Sequence, residues 1–354
     1  MTPVKLAFYA RVALVLHGLA LVLLFMYLGR TIFIPLFFSF LISILLEPLV
    51  KWFEKIHIPR AVAAIFSLLI FVVVIGALVY FFSSQVARFT KDLPHLEKKF
   101  SEKFQSLKDW ISEEYHVNDD AQMAYVKKSA NGLFGGVVGS LATTFVGIAQ
   151  FFILTIFFLV FTFFMLFYRR LLVSFLIALF NPDHNKKVRT VLGQIRSVIN
   201  SYVLGLLTEM AILIVLIFAT LSILGIKYAL LMSVMAAVLN IIPYLGIYTA
   251  MFLSILITLA NGTGGDALTI AIVFIVAHFI DANIILPRIV GGRVKINPFI
   301  TIIAVLIGHL LWGVPGMFLF IPLTAIIRIV SEEVEELAPW TILLGEEKNH
   351  DLRG

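Results

Sequence analysis

The chain has 354 residues, of which 61% are hydrophobic and only 14% are charged, and its mean hydropathy is +1.03. Soluble domains carry about 25% charged residues, so this composition excludes soluble enzymes and nucleic-acid-binding proteins and indicates an integral membrane protein. The net charge of +6 comes mostly from cations beside apolar runs, where they set orientation in the membrane. The chain has no cysteine, and its eight histidines are not spaced as metal ligands, so we expect no disulfide, metal or cofactor.

Six apolar runs have the length of single membrane spans. A helix that rises 1.5 Å per residue needs about 20 apolar residues to cross the hydrocarbon core. In chain order the runs are 12–28, 31–50, 61–87, 141–168, 197–224 and 267–286. The pattern predicts an all-α protein, a multi-span helical bundle.

Two further apolar stretches, 228–260 and 297–330, are too long for one span and too short for two. Each contains helix-stopping residues near its middle. They are Asn240, Pro243, Tyr244 and Gly246 in the first stretch and Gly313, Pro315 and Gly316 in the second. Proline removes a backbone donor, so Pro243 is expected to free the carbonyl of Leu239, and lipid cannot satisfy such a group. We predict two broken or re-entrant helical hairpins, which are typical of the site in secondary transporters.

The distribution of basic residues predicts the orientation of the chain. Basic residues follow the second run (Lys51, Lys55, Arg60) and the fourth (Arg169, Arg170, Lys186, Lys187, Arg189, Arg196). Both segments are therefore expected on the cytoplasmic side, together with the N-terminus. If both hairpins are re-entrant, the basic residues at 288, 293 and 295 and the C-terminus are also cytoplasmic.

The polar segment between the third and fourth runs carries eight basic and eight acidic residues and reads as an amphipathic extracytoplasmic helical insert. Its apolar residues recur at steps of three and four, on one helix face: Leu96, Phe100, Phe104, Leu107, Ile111 and Tyr115. That face lies either in the membrane interface or against a neighbouring subunit. The predicted division of the chain is three spans in 1–87, the insert in 88–140, a transport core with both hairpins in 141–330, and an acidic cytoplasmic tail in 331–354.

Ionisable side chains inside apolar runs are costly and mark function by default. Glu209, the only acid in its run, is either a proton or substrate site or an interfacial structural carboxylate. His278 and Asp281 are three residues apart and share a helix face, Asn283 follows, and Pro287 is expected to free the carbonyl of Asn283. This group either lines a translocation path or closes a helix end with mutually satisfied polar groups.

Glu47 is a weaker candidate. It lies beside Pro48 and four residues before Lys51, so the spacing favours a plain salt bridge over a role in transport.

Enzyme signatures are missing from the sequence. There is no HExxH motif, no Walker loop and no nucleophile elbow. We therefore expect a protein that is not an enzyme, and transport driven by gradients rather than by nucleotide hydrolysis.

The order of these features resembles the autoinducer-2 exporter-like (AI-2E) transporters of bacteria and archaea, over nearly the whole chain. The matching pieces are LNIIPYLG at 239–246, DAN at 281–283 with Pro287, Gly291 or Gly292, NP at 297–298, LWGVPG at 311–316, and Pro322. Two positions depart from the family pattern, since Ile247 stands where the family commonly has Pro and Leu206 where it often has Gln. Both lie near the proposed path, so the resemblance does not carry the substrate over.

The resemblance implies a secondary transporter of the bacterial or archaeal cytoplasmic (inner) membrane, assembled as a homo-oligomer, with a pentamer as the expected state. It implies either export of a small polar signal such as autoinducer-2 or sodium(lithium)–proton exchange. Asn240, Tyr244, Asp281 and Asn283 can serve either, so the residues leave both open. The expected partners are a small polar solute or ion and the lipid bilayer, and no nucleic acid. A non-transporting membrane scaffold is the third alternative.

Overall fold

The computed structural model describes residues 7–115, 144–242, 245–289 and 296–345. Over these ranges the chain forms helices, and its one β contact is an isolated bridge between Ile296 and Gly345. The helices are α1 (Phe8–Leu28), α2 (Arg30–Lys55), α3 (Arg60–Tyr115), α4 (Thr144–Phe167), α5 (Arg169–Ala178), α6 (Asn185–Ile223), α7 (Ala229–Leu239), α8 (Leu245–Asn261), α9 (Gly264–Ile280), α10 (Pro298–Trp312), α11 (Val314–Glu333) and α12 (Ala338–Leu344). The predicted all-α class is confirmed.

Within the described ranges, five helical segments are long and apolar enough to cross a membrane. They are Arg30–Lys55, Arg60–Phe89, Pro182–Ile223, Gly264–Ile285 and Val314–Glu333. A sixth is obtained if the bent pair Ile153–Phe167 and Arg169–Ala178, with 70° between its arms, is one span. The multi-span character predicted from hydropathy is confirmed.

The chain divides into two compact units, each built from separate stretches of sequence. Unit 1 contains residues 1–69, 154–204 and 290–354, and unit 2 contains 70–153 and 205–289. Helices α3, α4 and α6 each contribute residues to both units.

Unit 1 is joined internally by contacts between residues far apart in sequence. The Trp312 indole N–H donates to the carbonyl of Met26 at 2.9 Å and so connects α10 to α1. The Ser39 hydroxyl lies 2.8 Å from the carbonyl of Phe158, which connects α2 to α4. The Tyr202 and Phe318 rings pack with 5.7 Å between centroids. These contacts fix α1, α2, α4, α10 and the first half of α6 within the unit.

The second apolar stretch forms a helical hairpin within unit 1. Helix α10 ends at Trp312, and α11 starts at Val314 with Pro315 in its first turn, where the missing N–H costs no hydrogen bond. The turning residue is Gly313, at φ +65° and ψ −143°, a conformation open to glycine alone. The arms touch where Gly308 meets Gly316, since a Cβ on Gly316 would lie 1.9 Å from the carbonyl oxygen of Gly308.

Unit 2 contains the other divided stretch, as α7 and α8. Its core is made by fully buried side chains on the second half of α6 and on α7, α8 and α9: Ile217, Leu221, Met232, Ile247, Ala250, Ile270 and Phe274. Both stretches are therefore divided near their predicted centres. Whether either hairpin re-enters the membrane from one side stays a prediction.

Two predicted divisions of the chain do not coincide with helix ends. Helix α3 runs for 56 residues without a break and so joins the third apolar run to the first half of the insert. The second half of the insert, from residue 116, lies outside the described residues. The side chains of the predicted apolar stripe also lie outside them. Helix α11 continues to Glu333, so the predicted tail begins inside a helix in which Ser331 is buried.

Candidate functional site

Two acidic side chains from different helices meet at one amide in unit 2. The Asn240 side-chain nitrogen Nδ2 donates to Glu209 Oε1 at 2.8 Å and to Asp281 Oδ2 at 3.2 Å. Glu209 lies on α6, Asn240 directly follows α7, and Asp281 directly follows α9. An amide group has two N–H donors, so it can satisfy one oxygen of each carboxylate. We call these three residues the acid–amide site.

The acid–amide site is buried in apolar surroundings. Glu209 and Asp281 are each only 4% exposed. One turn away along each helix lie Leu213, Ala237 and Ile285, which pack together as a buried cluster. Two carboxylates beside such a cluster interact more strongly with each other and with any bound cation than they would in water.

Each acid retains an oxygen with capacity for a further partner. Glu209 Oε2 and Asp281 Oδ1 are buried and accept no hydrogen bond from the described part of the chain. Nδ1 of His278, one turn before Asp281, is likewise buried and unpartnered there, and its ring packs edge-on against Tyr248 at 5.2 Å. The arrangement can hold a proton, bind a small cation, or accept hydrogen bonds from a hydroxylated solute.

Asp281 is presented by an irregular turn. Residues 281–285 form a π-helical turn, in which the N–H of Leu286 donates to the carbonyl of Asp281, five residues back. Such turns are rare and occur mostly within α-helices at functional positions. A last α-helical turn, Leu286–Ile289, contains Pro287.

The structure does not bring Asn283 to Asp281. Asn283 is exposed, and its side-chain N–H donates to the carbonyl of Phe279 at 2.8 Å. Residues two apart on a helix point to opposite sides, so the carboxylate is buried while the amide is not. His278 and Asp281 each have a buried side-chain atom without a described partner, and their pairing on one face stays a prediction.

The break between α7 and α8 is tightly closed. The N–H of Ile242 donates to the carbonyl of Leu239 at 2.9 Å, so this carbonyl, which we expected proline to free, has a partner. Gly246 is in close contact with it, since a Cβ on Gly246 would lie 1.8 Å from the Leu239 oxygen. Pro243 and Tyr244 lie outside the described residues.

The remaining predicted site residues, Gly313, Pro315 and Gly316, belong to the α10–α11 hairpin of unit 1. Their observed role is to turn the chain and to let the two helices approach, as described above. In the described part of the chain, His, Asp and Glu side chains do not gather in groups of three that could hold a metal.

Unit 1 has a charged cavity that the sequence argument did not identify. Its volume is about 800 Å³, and it lies between α2, the bend from α4 to α5, and the start of α6. Glu47 lines it and pairs with Lys51 at 2.9 Å, as predicted, and also with Arg196 at 2.9 Å. A signal was available, because Glu47, Lys51 and Glu54 are four and seven residues apart and therefore share one face of α2.

The comparison with known sequences decides the family. The profile described as AI-2E family transporter matches residues 16–336. The chain belongs to the AI-2E transporter family.

Curated relatives match this chain over most of its length. YhhT of Escherichia coli strain K12, described as a candidate transport protein, is 25% identical over 343 residues, covering 94% of each chain. YrrI of Bacillus subtilis strain 168, described in the same way, is 26% identical over 311 residues, covering 85% of this chain and 86% of its own. TqsA of Escherichia coli strain K12, named an AI-2 transport protein, is 24% identical over 340 residues, covering 95% and 96%. The predicted family is confirmed.

Proposed function

We propose that this AI-2E chain is a secondary transporter of a small polar solute and that the acid–amide site couples transport to a proton or a monovalent cation. Family membership supports transport as the activity. The observation that carries the coupling is the pair of buried carboxylates, Glu209 and Asp281, held by the single amide of Asn240.

The charge balance of the site supports the coupling. The two carboxylate oxygens lie 2.8 and 3.2 Å from the same nitrogen of Asn240 and are therefore close to each other. At an effective dielectric constant near 20, two negative charges about 6 Å apart or closer repel each other by about 3 kcal/mol or more. One amide donates to both but carries no charge. A bound proton or a bound monovalent cation removes this repulsion, so occupancy of the site changes with the gradient of that ion across the membrane.

The solute we propose is a hydroxylated signal molecule of the autoinducer-2 type, moved outward. The relative TqsA, named an AI-2 transport protein, supports this class. The spare oxygens of Glu209 and Asp281 are acceptors suited to hydroxyl groups.

Sodium(lithium)–proton exchange is the second candidate. It is favoured by the composition of the site, since carboxylate and amide oxygens are the ligands that hard cations prefer. In this case the two ions would compete for one pair of acids.

Transport by purified protein in liposomes tests the proposal. We expect solute flux to follow an imposed pH or sodium gradient and to collapse when a protonophore or a sodium ionophore removes the gradient. Exchange of sodium for protons without added solute would establish the second candidate. Saturable solute flux that ignores both gradients would contradict coupling, and the absence of any flux with every gradient would leave the scaffold alternative.

Location and assembly complete the proposal. We place the chain in the cytoplasmic (inner) membrane with both termini inside, as the basic segments and the bacterial relatives support. We also propose a homo-oligomer, with five copies as the expected number from the family resemblance. Native mass spectrometry of the full chain released from membranes measures the copy number, and a monomer at all concentrations would contradict it.

A further inference from the structure

The cavity of unit 1 carries an excess of positive charge. Five cationic side chains line it: Lys51, Arg169, Arg170, Arg189 and Arg196. Among the described lining residues, two carboxylates, Glu47 and Glu54, face them. We call this feature the basic cavity. It lies in a different unit from the acid–amide site, and the inference below does not depend on the proposed function.

The two carboxylates do not neutralise the five cations. Glu47 pairs with Lys51 and Arg196, and Glu54 pairs with Arg169. Arg170 and Arg189 form no salt bridge within the described ranges, and both are exposed at the rim. Within the Glu54–Arg169 pair, Oε1 of Glu54 and Nη1 of Arg169 are both buried and have no described hydrogen-bond partner. The cavity therefore offers guanidinium donors to an anion.

Apart from Ser43 and Ser174, the rest of the cavity wall has no polar side chain, so the ligand that fits it is an anion with a hydrocarbon part. Side chains such as Ile44, Leu172, Leu176 and Leu192 line the wall between the charged groups. Arginine forms paired hydrogen bonds to phosphate oxygens, and the apolar wall suits an acyl chain or glycerol backbone.

The residues around the basic cavity are of the types found at the level of lipid headgroups. Helix α5 departs from α4 by 70° and leaves Leu171 and Phe175 about 60% exposed, as expected for a short helix lying along the membrane surface. Trp52 and Tyr168, beside the cavity residues Lys51 and Arg169, are also exposed, and such aromatic residues are enriched at the membrane interface. A phospholipid in the surrounding bilayer can therefore place its phosphate in the cavity while its chains stay in the membrane.

We propose that the basic cavity is a binding site for the headgroup of an acidic phospholipid. Arg170 and Arg189, which have no carboxylate partner among the described residues, are the phosphate donors. Basic pockets between membrane helices bind such headgroups in general.

Binding of phosphatidylglycerol to the full-length protein in detergent, measured by native mass spectrometry, tests the site. We expect phosphatidylglycerol to bind at least about tenfold more tightly than phosphatidylcholine. The double variant Arg170→Gln/Arg189→Gln should lower this affinity ratio by a factor of about ten or more. The matched control Lys55→Gln/Lys186→Gln removes two exposed cations that do not line the cavity, and it should leave the preference unchanged. Glu47→Gln should act in the opposite direction, because it releases Lys51 and Arg196 to the anion.

Three outcomes would overturn the assignment. Equal binding of the two lipids would show that the cavity does not select an anionic headgroup, and equal losses in the cavity variant and its control would show attraction by general surface charge. Occupancy by millimolar inorganic phosphate without any preference among lipids would assign the cavity to a soluble phosphate compound.

The cavity variants are made at exposed positions, and an unchanged melting temperature shows that they are folded. Glu47→Gln tests the same site without removing a cation.

Discussion

Asn240 is the side chain on which the acid–amide site depends. It lies where α7 ends, and its amide reaches partners 31 and 41 residues away in sequence. A hydrogen bond to a charged group contributes about 1.5–3 kcal/mol, and loss of the donor leaves two buried acceptors facing each other.

Replacement of Asn240 by alanine should lower stability in a pH-dependent way. The amide stabilises the charged carboxylates in the folded state, so its contribution is present at higher pH and is lost as the acids become protonated at lower pH. We expect a loss of about 1.5–3 kcal/mol at alkaline pH and a smaller one at acidic pH. Melting temperatures of wild type, Asn240→Ala and the exposed amide control Gln194→Ala, measured from pH 5 to 9, check this. An equal loss at every pH would argue against charged carboxylates.

Removal of one acidic charge should separate coupling from folding. Asp281→Asn keeps the shape of the side chain but cannot bind a proton or hold a cation by charge, so we expect gradient-driven flux in liposomes to fall to background. Glu335→Gln, at an exposed position outside both sites, should transport like wild type. Wild-type flux in Asp281→Asn would assign the acid to a structural role.

At the residue scale, the three residues of the acid–amide site could be singled out from the sequence, but the contact between their side chains could not be predicted. Glu209 and Asp281 stand out because each is an acid in an apolar run, and Asn240 because it precedes Pro243. Their contact depends on how α6, α7 and α9 pack, which periodicity does not contain. Asn283 was wrongly grouped with Asp281, because proximity in sequence does not place a side chain on the buried face.

At the element scale, the two hairpins are closed by glycine contacts rather than by proline alone. Gly246 lies against the carbonyl of Leu239, and Gly308 lies against Gly316. Proline and glycine in a long apolar stretch predicted both breaks, since each residue type disfavours a continuous helix. The continuity of α3 was not predictable from polarity. Lys, Glu and Gln are unfavourable inside the membrane, but they are good helix formers, so a change to polar residues does not mark a helix end.

A methyl group at the first break should not be tolerated. Gly246→Ala places a Cβ 1.8 Å from a backbone oxygen that cannot move without opening the turn. We expect a loss of about 3 kcal/mol or more and poor yield of folded protein. Gly76→Ala, where nothing lies within 4 Å of the added carbon, should be neutral or stabilising by up to about 1 kcal/mol. Thermal unfolding of the two variants measures the contrast, and equal effects would refute the contact.

Cysteine labelling can decide whether the hairpins re-enter the membrane. The native chain has no cysteine, so any labelling comes from the single thiol that is introduced. We expect cysteines at Lys227 and Gly265 to react from outside the cell and cysteines at Lys295 and Glu335 to react only from inside. Ser331 would be a poor reporter, since it is 2% exposed. Reaction from opposite sides within either pair would show that the hairpin crosses the membrane.

At the scale of the whole molecule, each unit is assembled from segments that are distant in sequence. In unit 1, Arg169 bonds to Glu54, 115 residues earlier, with the two side chains only 15% and 17% exposed. The basic residues at 169, 170, 189 and 196 predicted a membrane side from sequence, but their gathering around one cavity required the fold. Hydropathy does not predict contacts between side chains that are distant in sequence.

The Glu54–Arg169 pair should be coupled in folding. Each single change, Glu54→Gln or Arg169→Gln, leaves a partly buried partner without its counter-charge, and we expect about 1–3 kcal/mol of destabilisation from either. The double variant should be less destabilised than the sum of the two, because the second change removes the group left unpaired. Denaturation of the four proteins in mild detergent gives the coupling, and strict additivity would show that the pair contributes nothing.

The π-helical turn at 281–285 amounts to one inserted residue. A hydrogen bond that spans five residues instead of four accommodates an extra amino acid. Deletion of a single residue such as Ala282 would restore the α-helical frame and rotate the remaining turn by about 100° relative to α9. Asp281 precedes the inserted position and keeps its place relative to α9, whereas Pro287 follows that position. We expect a relative that is one residue shorter here to have a regular helix end, with the residue that corresponds to Pro287 on a different helix face.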